Sequence, residues 1–244
     1  MKIFVLIFFL TLSQLQAKEI LHVSSGFPKP ETYLVGSIVQ EGFDRAGVAI
    51  KYHTLPTERS LVNVNLGLDD VEAGRIKGIE KLYPNLMMVP VSIHKIDIVL
   101  LSKKRLRIKK ISDLKPYHVG LNRGVKIAES IAKKANARSI TPATSYKMLI
   151  KMLINNRVDV IITSKIAMLT MLAETSEESL FMTKEPLVSL PLYTYFNKKH
   201  KDLIPKLKIA YESMQDDGTL KKLQTEFFYK LKNKISSKVT ITDD

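Results

Sequence analysis

Residues 20–231 predict an α/β chain folded as two lobes joined by two extended crossovers. Three observations carry this. The segment from Ile20 to Gly67 alternates strand and helix, and a second alternation runs from Tyr117 to Ala173. Between and after them, 85–102 and 187–196 are extended apolar stretches without helical periodicity.

Ile20-Leu21-His22-Val23-Ser24 reads as a first strand, closed by Gly26, Pro28 and Pro30. Glu31 to Ala46 places Leu34, Val35, Ile38, Val39 and Phe43 at helical spacing, and Gly47 is a natural stop. Ile50 to Leu55 is a second strand, and Pro56-Thr57 opens a helix that runs through Leu66 to Gly67. In the second run, 117–121 and 158–162 read as strands and 124–135, 143–155 and 164–173 as helices. The chain is helical again from about 201 to 231, and the short polar tail after Ser236 is expected to fray. The last helices can return to the first unit, so lobe one is expected from 18–92 with 195–244, and lobe two from 93–194. In such folds a ligand sits between the lobes, at the carboxyl ends of strands and the amino ends of helices.

Composition narrows the classes of function. The 244 residues include no cysteine, which excludes a disulfide scaffold, a thiolate metal site and a cysteine nucleophile. Met1-Lys2, the apolar run Ile3 to Leu12 and the polar turn ending at Ala17 have the order of a secretory signal peptide, expected over 1–17. Ten apolar residues are too few for a membrane span, which takes about 20. A lipid anchor would need a cysteine, so a freely diffusing periplasmic protein is expected, as a monomer with no membrane anchor. The excess of 38 Lys+Arg over 24 Asp+Glu lacks the aromatic interleaving of a nucleic-acid platform, and no nucleic-acid partner is expected.

Four segments, in order, resemble the bacterial extracellular solute-binding proteins of family 3, in a divergent branch. They are LPTERSL (55–61) with EAGRIKGIEKLYPNLMMVP (72–90), ISDLKPYHVGLNRG (111–124), SYKMLIKMLINNRVDVII (145–162) and MQDDGTLKKL (214–223). The resemblance implies a two-lobed periplasmic-binding-protein clamshell and capture of a polar amino-acid-like solute. It also implies an aromatic in the first strand–helix loop, here Phe27. Where family members end a strand of lobe two in an aspartate that holds the ligand's ammonium, this chain has Ser164.

Candidate ligand residues follow from chemistry and placement. Only eight of the basic residues are arginine, the side chain that grips a carboxylate with two parallel hydrogen bonds. Arg59 opens a helix after a strand. Arg75 follows Asp69, Asp70 and Glu72, so an internal ion pair competes with a ligand. Asn122, Arg123 and Gly124 lead from strand into helix, a place that favours an anion. Thr163 and Ser164 open another helix, where the cap role suits Thr163 and a ligand role is open to Ser164. Phe27 and Tyr33 supply aromatic surface. Arg45 and Arg157 read as structural, Arg138 as solvated, Asp159 as a backbone-ordering group, and Tyr193 and Tyr195 as hinge packing.

The expectation is capture of a small polar solute, amino-acid-like or anionic, by hinge closure for uptake or sensing. The partner would be an inner-membrane ABC permease or a sensor, and no cofactor is implied. The five histidines form no i, i+4 pair, so no metal site is expected, and no nucleophile or nucleotide motif points to an enzyme. Two rivals remain: a dehydratase or lyase on the same clamshell, and a sensory or interaction module that binds little. The first would need Glu31, Asp70 or Glu72 to point into the crevice.

Overall fold

The computed structural model describes residues 20–123, 125–174, 180–233 and 239–242, so the expected leader over 1–17 lies outside the described residues. β1 (Leu21–Ser25), α1 (Glu31–Arg45), β2 (Ile50–Thr54) and α2 (Thr57–Leu66) follow the expected order. α1 buries the predicted stripe of Leu34, Val35, Ile38, Val39 and Phe43. α2 stops where Gly67 takes a φ of 78°, a left-handed cap that costs glycine nothing.

The next strand, β3 (Val71–Ile76), is not expected from the sequence, which reads Asp69, Asp70 and Glu72 as solvated charges around a turn. All three are buried, and β3 lies between β1 and β9 (Val188–Asn197). β4 (Leu86–Ser102) and β9 are the two extended crossovers, paired antiparallel along most of their length. Their register shifts between Met88 and Ser92, around Pro90, a residue with no N–H for the ladder.

The second half comprises β5 (His118–Asn122), α3 (Lys126–Lys134), β6 (Ser139–Ala143), α4 (Tyr146–Ile154), β7 (Val160–Ser164), α5 (Lys165–Ala173) and β8 (Leu180–Thr183). Neither β6 nor β8 is expected from the sequence. β6 is an edge strand whose first residues are only half-buried, so it lacks a hydrophobic signature. The strands form one sheet in the order β2-β1-β3-β9-β4-β7-β5-β6, with β8 branching from β4. Strands β1 to β3 hang on one end of the β4–β9 pair and β5 to β7 on the other, which divides the fold into two lobes.

The C-terminal helices are α6 (Ile204–Asp216) and α7 (Thr219–Lys232). Both pack on α1, and α6 lies against β4, so the chain returns to the first lobe as expected. α7 also touches α5 of the second lobe and so spans the hinge side. Arg45 secures this return: it pairs with Glu41 at 2.8 Å and Asp217 at 2.6 Å, and donates to Ser213 and Thr219. Part of the tail expected to fray is instead an ordered strand. Val239–Thr242 forms β10, parallel to β8.

The contact between α1 and α6 depends on one small residue. A Cβ at Gly42 would collide with the ring of Tyr211, which is fully buried and shares a hydrogen bond with Thr194 at 3.0 Å. Gly42→Ala is therefore expected to destabilise the protein by about 1–3 kcal/mol despite alanine's better helix propensity. A lowered urea midpoint at unchanged slope is the readout.

Candidate functional site

The pairing registers fix what faces what. β1, β2 and β3 are parallel to one another, and β3 runs antiparallel to β9. β9 runs antiparallel to β4, β4 antiparallel to β7, and β7 parallel to β5. The carboxyl ends of β1–β3 and of β5–β7 consequently point at each other along the β4–β9 pair. β3 ends at Ile76, opposite Leu192, which pairs with His94. β7 ends at Ser164, opposite Ile98. Four residues of β4 separate these levels, about 13 Å at the rise of an extended strand.

On the lobe-one edge, Arg75 is buried among backbone acceptors and an aromatic face. Its Nη2 donates to the Thr57 carbonyl at 3.1 Å, its Nη1 to the Gly74 carbonyl at 3.2 Å, and its guanidinium lies 5.4 Å from the Phe27 ring centroid. Its Nε is buried with no hydrogen-bond partner. Gly26 is required here, because a Cβ would strike the guanidinium. Thr57 donates to the Gly26 carbonyl at 2.8 Å, tying the β1–α1 loop to the start of α2. The internal ion pair foreseen for Arg75 exists, with Glu72 at 3.4 Å. Burial pushes the Glu72 carboxyl up to about 7, against the opposing pull of the Arg75 charge and the Ser60 hydroxyl that donates to it.

On the lobe-two edge, the Arg123 backbone N–H donates to the Ala143 carbonyl at 2.8 Å, which holds the end of β5 against that of β6. Asn122 is half-buried and Arg123 exposed, next to the end of β7, since Leu121 pairs with Ile162. Ser145 caps α4 by accepting the Met148 N–H at 3.2 Å. Thr163, expected as the cap of α5, is instead a buried strand residue, and Ser164 is the cap, accepting the Ala167 N–H at 3.2 Å. The Ser164 hydroxyl proton is still available for a ligand. Gly124 lies outside the described residues.

The structure brings Phe27 and Arg75 together, and sets Asn122, Arg123 and Ser164 on the facing edge. Arg59 stands in the first turn of α2, exposed and without a side-chain partner among the described residues. Tyr33 is turned outward, 54% exposed, with the Lys29 ammonium 5.7 Å from its ring.

Sequence reasoning did not place Glu31 in a ligand site. A cavity of about 180 Å³ lies between the lobes, lined by Pro28, Lys29 and Glu31 on one side and Tyr146, Thr170 and Glu174 on the other. Only 7% of Glu31 is exposed, and burial pushes its carboxyl up to about 7. An acid in the first turn of a helix is so ordinary a companion of the dipole that its position alone carries no signal. By contrast, Asp70 accepts from the His22 N–H, His200 and Lys199, and Glu72 is sealed behind Arg75. Of the three carboxylates, Glu31 is the one on an interlobe cavity.

Arg157, read as structural, is instead exposed, with no side-chain hydrogen bond or ion pair among the described residues. Arg138 is exposed and paired with Asp159 at 2.8 Å, and Asp159 also accepts the His118 N–H at 2.8 Å. Tyr195 is buried and donates to the Ile76 carbonyl at 3.1 Å, packing β9 against β3.

Neither family models nor curated protein sequences match this chain. Solved structures do. The L-cystine solute receptor of Neisseria gonorrhoeae, in an unliganded open conformation, is 19% identical over 87% of this chain and 93% of its own, with a TM-score of 0.65. The GluR0 ligand-binding core in complex with L-glutamate is 13% identical over 86% and 98%, with a TM-score of 0.71. A histidine kinase sensor domain similar to periplasmic binding proteins is 11% identical over 85% and 95%, with a TM-score of 0.67.

A pH titration checks the burial of Glu31. Its carboxyl ionises near 4.5 when unfolded and near 7 when folded. The stability gained from keeping it neutral is full below pH 4.5 and is lost as pH rises to about 7. Glu31→Gln removes that loss, so the variant should gain on the wild type across this window by about 3 kcal/mol. Parallel urea-denaturation profiles from pH 4.5 to 7.5 would contradict the burial of this carboxyl. Strand order, facing carboxyl edges and likeness to these structures together give the chain the two-lobed periplasmic-binding-protein fold.

Proposed function

We propose that the protein is an exported solute-binding protein of the family 3 type, which closes two lobes over a small zwitterionic, amino-acid-like solute. The observation that carries this reading is the buried Arg75 guanidinium, stacked on Phe27 at the lobe-one edge and facing the Asn122–Arg123 edge of lobe two. An arginine held in place by backbone carbonyls is pre-oriented for a carboxylate, and the second lobe adds Arg123 and the Ser164 hydroxyl. Glu31 supplies the acidic wall for an ammonium group, in the absence of the family's aspartate at the Ser164 position. The solved relatives of this fold with an amino acid in their names, the cystine receptor and the glutamate-bound core, support the same ligand class.

Lobe one is taken as 18–92 with the returning helices to 232, and lobe two as 93–194 with β10. The lobes interconvert between open and closed arrangements by bending the β4–β9 pair. A ligand touching both edges favours the closed one by the difference in its affinity for the two. The closed shape would then be read by an inner-membrane permease or a sensor. The protein would diffuse in the periplasm as a monomer after removal of the leader.

A catalytic reading rests on one observation, the raised carboxyl of Glu31 in the interlobe cavity, which suits a general acid in a dehydratase or lyase. Release of product from a candidate hydroxy or amino acid would replace binding by turnover.

Thermal-shift screening of the leaderless protein against the L-amino acids and their carboxylate-only and amine-only analogues tests the proposal. At least one amino acid should raise the melting temperature, and neither half-analogue should match it. Calorimetry on Arg75→Ala and Glu31→Gln should then show affinity lowered tenfold or more in each. A flat response across the panel would favour a module that binds little, and unchanged affinity in both variants would displace the site.

A further inference from the structure

Away from the cleft, three side chains distant in the sequence converge on the α2 side of lobe one. His22 lies on β1, His53 on the edge strand β2, and Asp69 in the turn between α2 and β3. One ligand atom from each lies within 4.8 Å of the other two. The rings of His22 and His53 meet edge to face, 6.4 Å between centroids, and His53 Nε2 is 3.4 Å from Asp69 Oδ1. We propose that His22, His53 and Asp69 form a binding site for a divalent transition-metal ion of the Zn²⁺ class.

Donor chemistry comes first. Two imidazoles and a carboxylate are ligands that Zn²⁺ accepts at about 2.0–2.2 Å, with a fourth position left for water. In a tetrahedron of that size neighbouring ligand atoms are about 3.3 Å apart. The His53–Asp69 separation of 3.4 Å already has that value. Only His22 has to close in, and it is exposed and on a strand that stays in register.

The surroundings separate Asp69 from its neighbour. Asp70 is occupied, by the His22 backbone N–H at 2.8 Å, His200 at 2.8 Å and Lys199 at 2.6 Å. Asp69 is buried, and its other oxygen accepts from Asn63 Nδ2 at 3.1 Å, which orients Oδ1 toward His53. An outer hydrogen bond of this kind is what a metal-ligating carboxylate requires. Lys51, the register partner of His22, is exposed, which leaves its ammonium to solvent. The bound ion would fasten β2, which has a strand neighbour on one side only, to the start of β3.

The test uses the full leaderless protein without a polyhistidine tag, titrated with Zn²⁺ by calorimetry at pH 7.5. One equivalent should bind, and Zn²⁺ should raise the melting temperature. His53→Ala and Asp69→Asn should each lower affinity tenfold or more, and Asn63→Ala about tenfold as a positioning residue. His118→Ala, in the other lobe, should leave it unchanged. Because His22 is exposed, His22→Ala keeps the fold and should still lose affinity. No binding by the wild type, or binding unaltered in both His22→Ala and His53→Ala, overturns the proposal. The solute panel is independent of this result, since none of these residues lies on the cleft.

Discussion

Everything at the cleft depends on the antiparallel pairing of β4 with β9. These two strands are the only sheet connection between the groups β1–β3 and β5–β7 among the described residues. Because each group attaches antiparallel to the crossing pair, from opposite ends, their carboxyl edges are forced toward each other. The spacing of the edges is the spacing of Ile76 and Ser164 along β4, set by backbone register rather than by any side chain. Register shifts around Pro90 and at Ser92–His94 interrupt the ladder, and Pro191 withholds a donor on β9. His94 sits in this stretch, buried and held neutral, its imidazole pushed down to about 4 by burial. This stretch of the crossing pair therefore carries no charge on that side chain at neutral pH.

The buried polar group around β3 is costly, and stability does not account for it. Removing Glu72 and Arg75 from water takes several kcal/mol per ion, and their contact at 3.4 Å is a poor return for that cost. A well-packed apolar pair in the same volume would serve the core at least as well. What such a pair could not do is hold a guanidinium rigidly against Phe27, with carbonyls on two sides, at the end of a strand that points into a cleft. Backbone carbonyls hold two of its nitrogens, while the buried Nε lacks a partner. On the proposed function, a ligand carboxylate would complete that hydrogen bonding, which gives a reason for retaining the pair.

How much was legible in the sequence follows from the same physics. α1 is legible because burial at 3.6-residue spacing leaves an apolar stripe from Leu34 to Phe43, and Gly67 announces its left-handed cap. The crossovers are legible because both are largely apolar without helical periodicity, and β4 becomes a continuous apolar run where it is buried on both faces, over 98–101. β3 is hidden because two of its five buried residues are charged, and a charge in sequence is read as solvent. Strand-to-helix transitions mark the lobe-two edge in the sequence, at Arg123 and Ser164, whereas Glu31 is named there only as one of three acids that a catalytic reading would need in the crevice. An acid in a helix's first turn has an adequate local explanation, and only the opposing lobe shows that it is buried. The histidines hide for a related reason: His22, His53 and Asp69 meet through a parallel strand pair, which no local spacing rule encodes.

Charge is distributed by depth in a way that bears on the order of events. The chain carries a formal +14, and Arg59 and Arg123 stand exposed near the two facing edges, with no side-chain ion pair among the described residues. Of the acids near the cleft, Glu31 and Glu72 are buried and pushed toward neutrality, while Glu174 is exposed. On the proposed function, the exposed Arg59 and Arg123 would draw an approaching zwitterion by its carboxylate end. Its ammonium would meet Glu31 once the lobes approach, and an ammonium beside that carboxyl favours the ionised form. Closure would then strengthen the electrostatic contact that favours it, because the same burial that raised the Glu31 carboxyl also lowers the local dielectric. On the proposed function, surface cations would bring the ligand in, and the buried acid would distinguish an amino acid from a bare carboxylate.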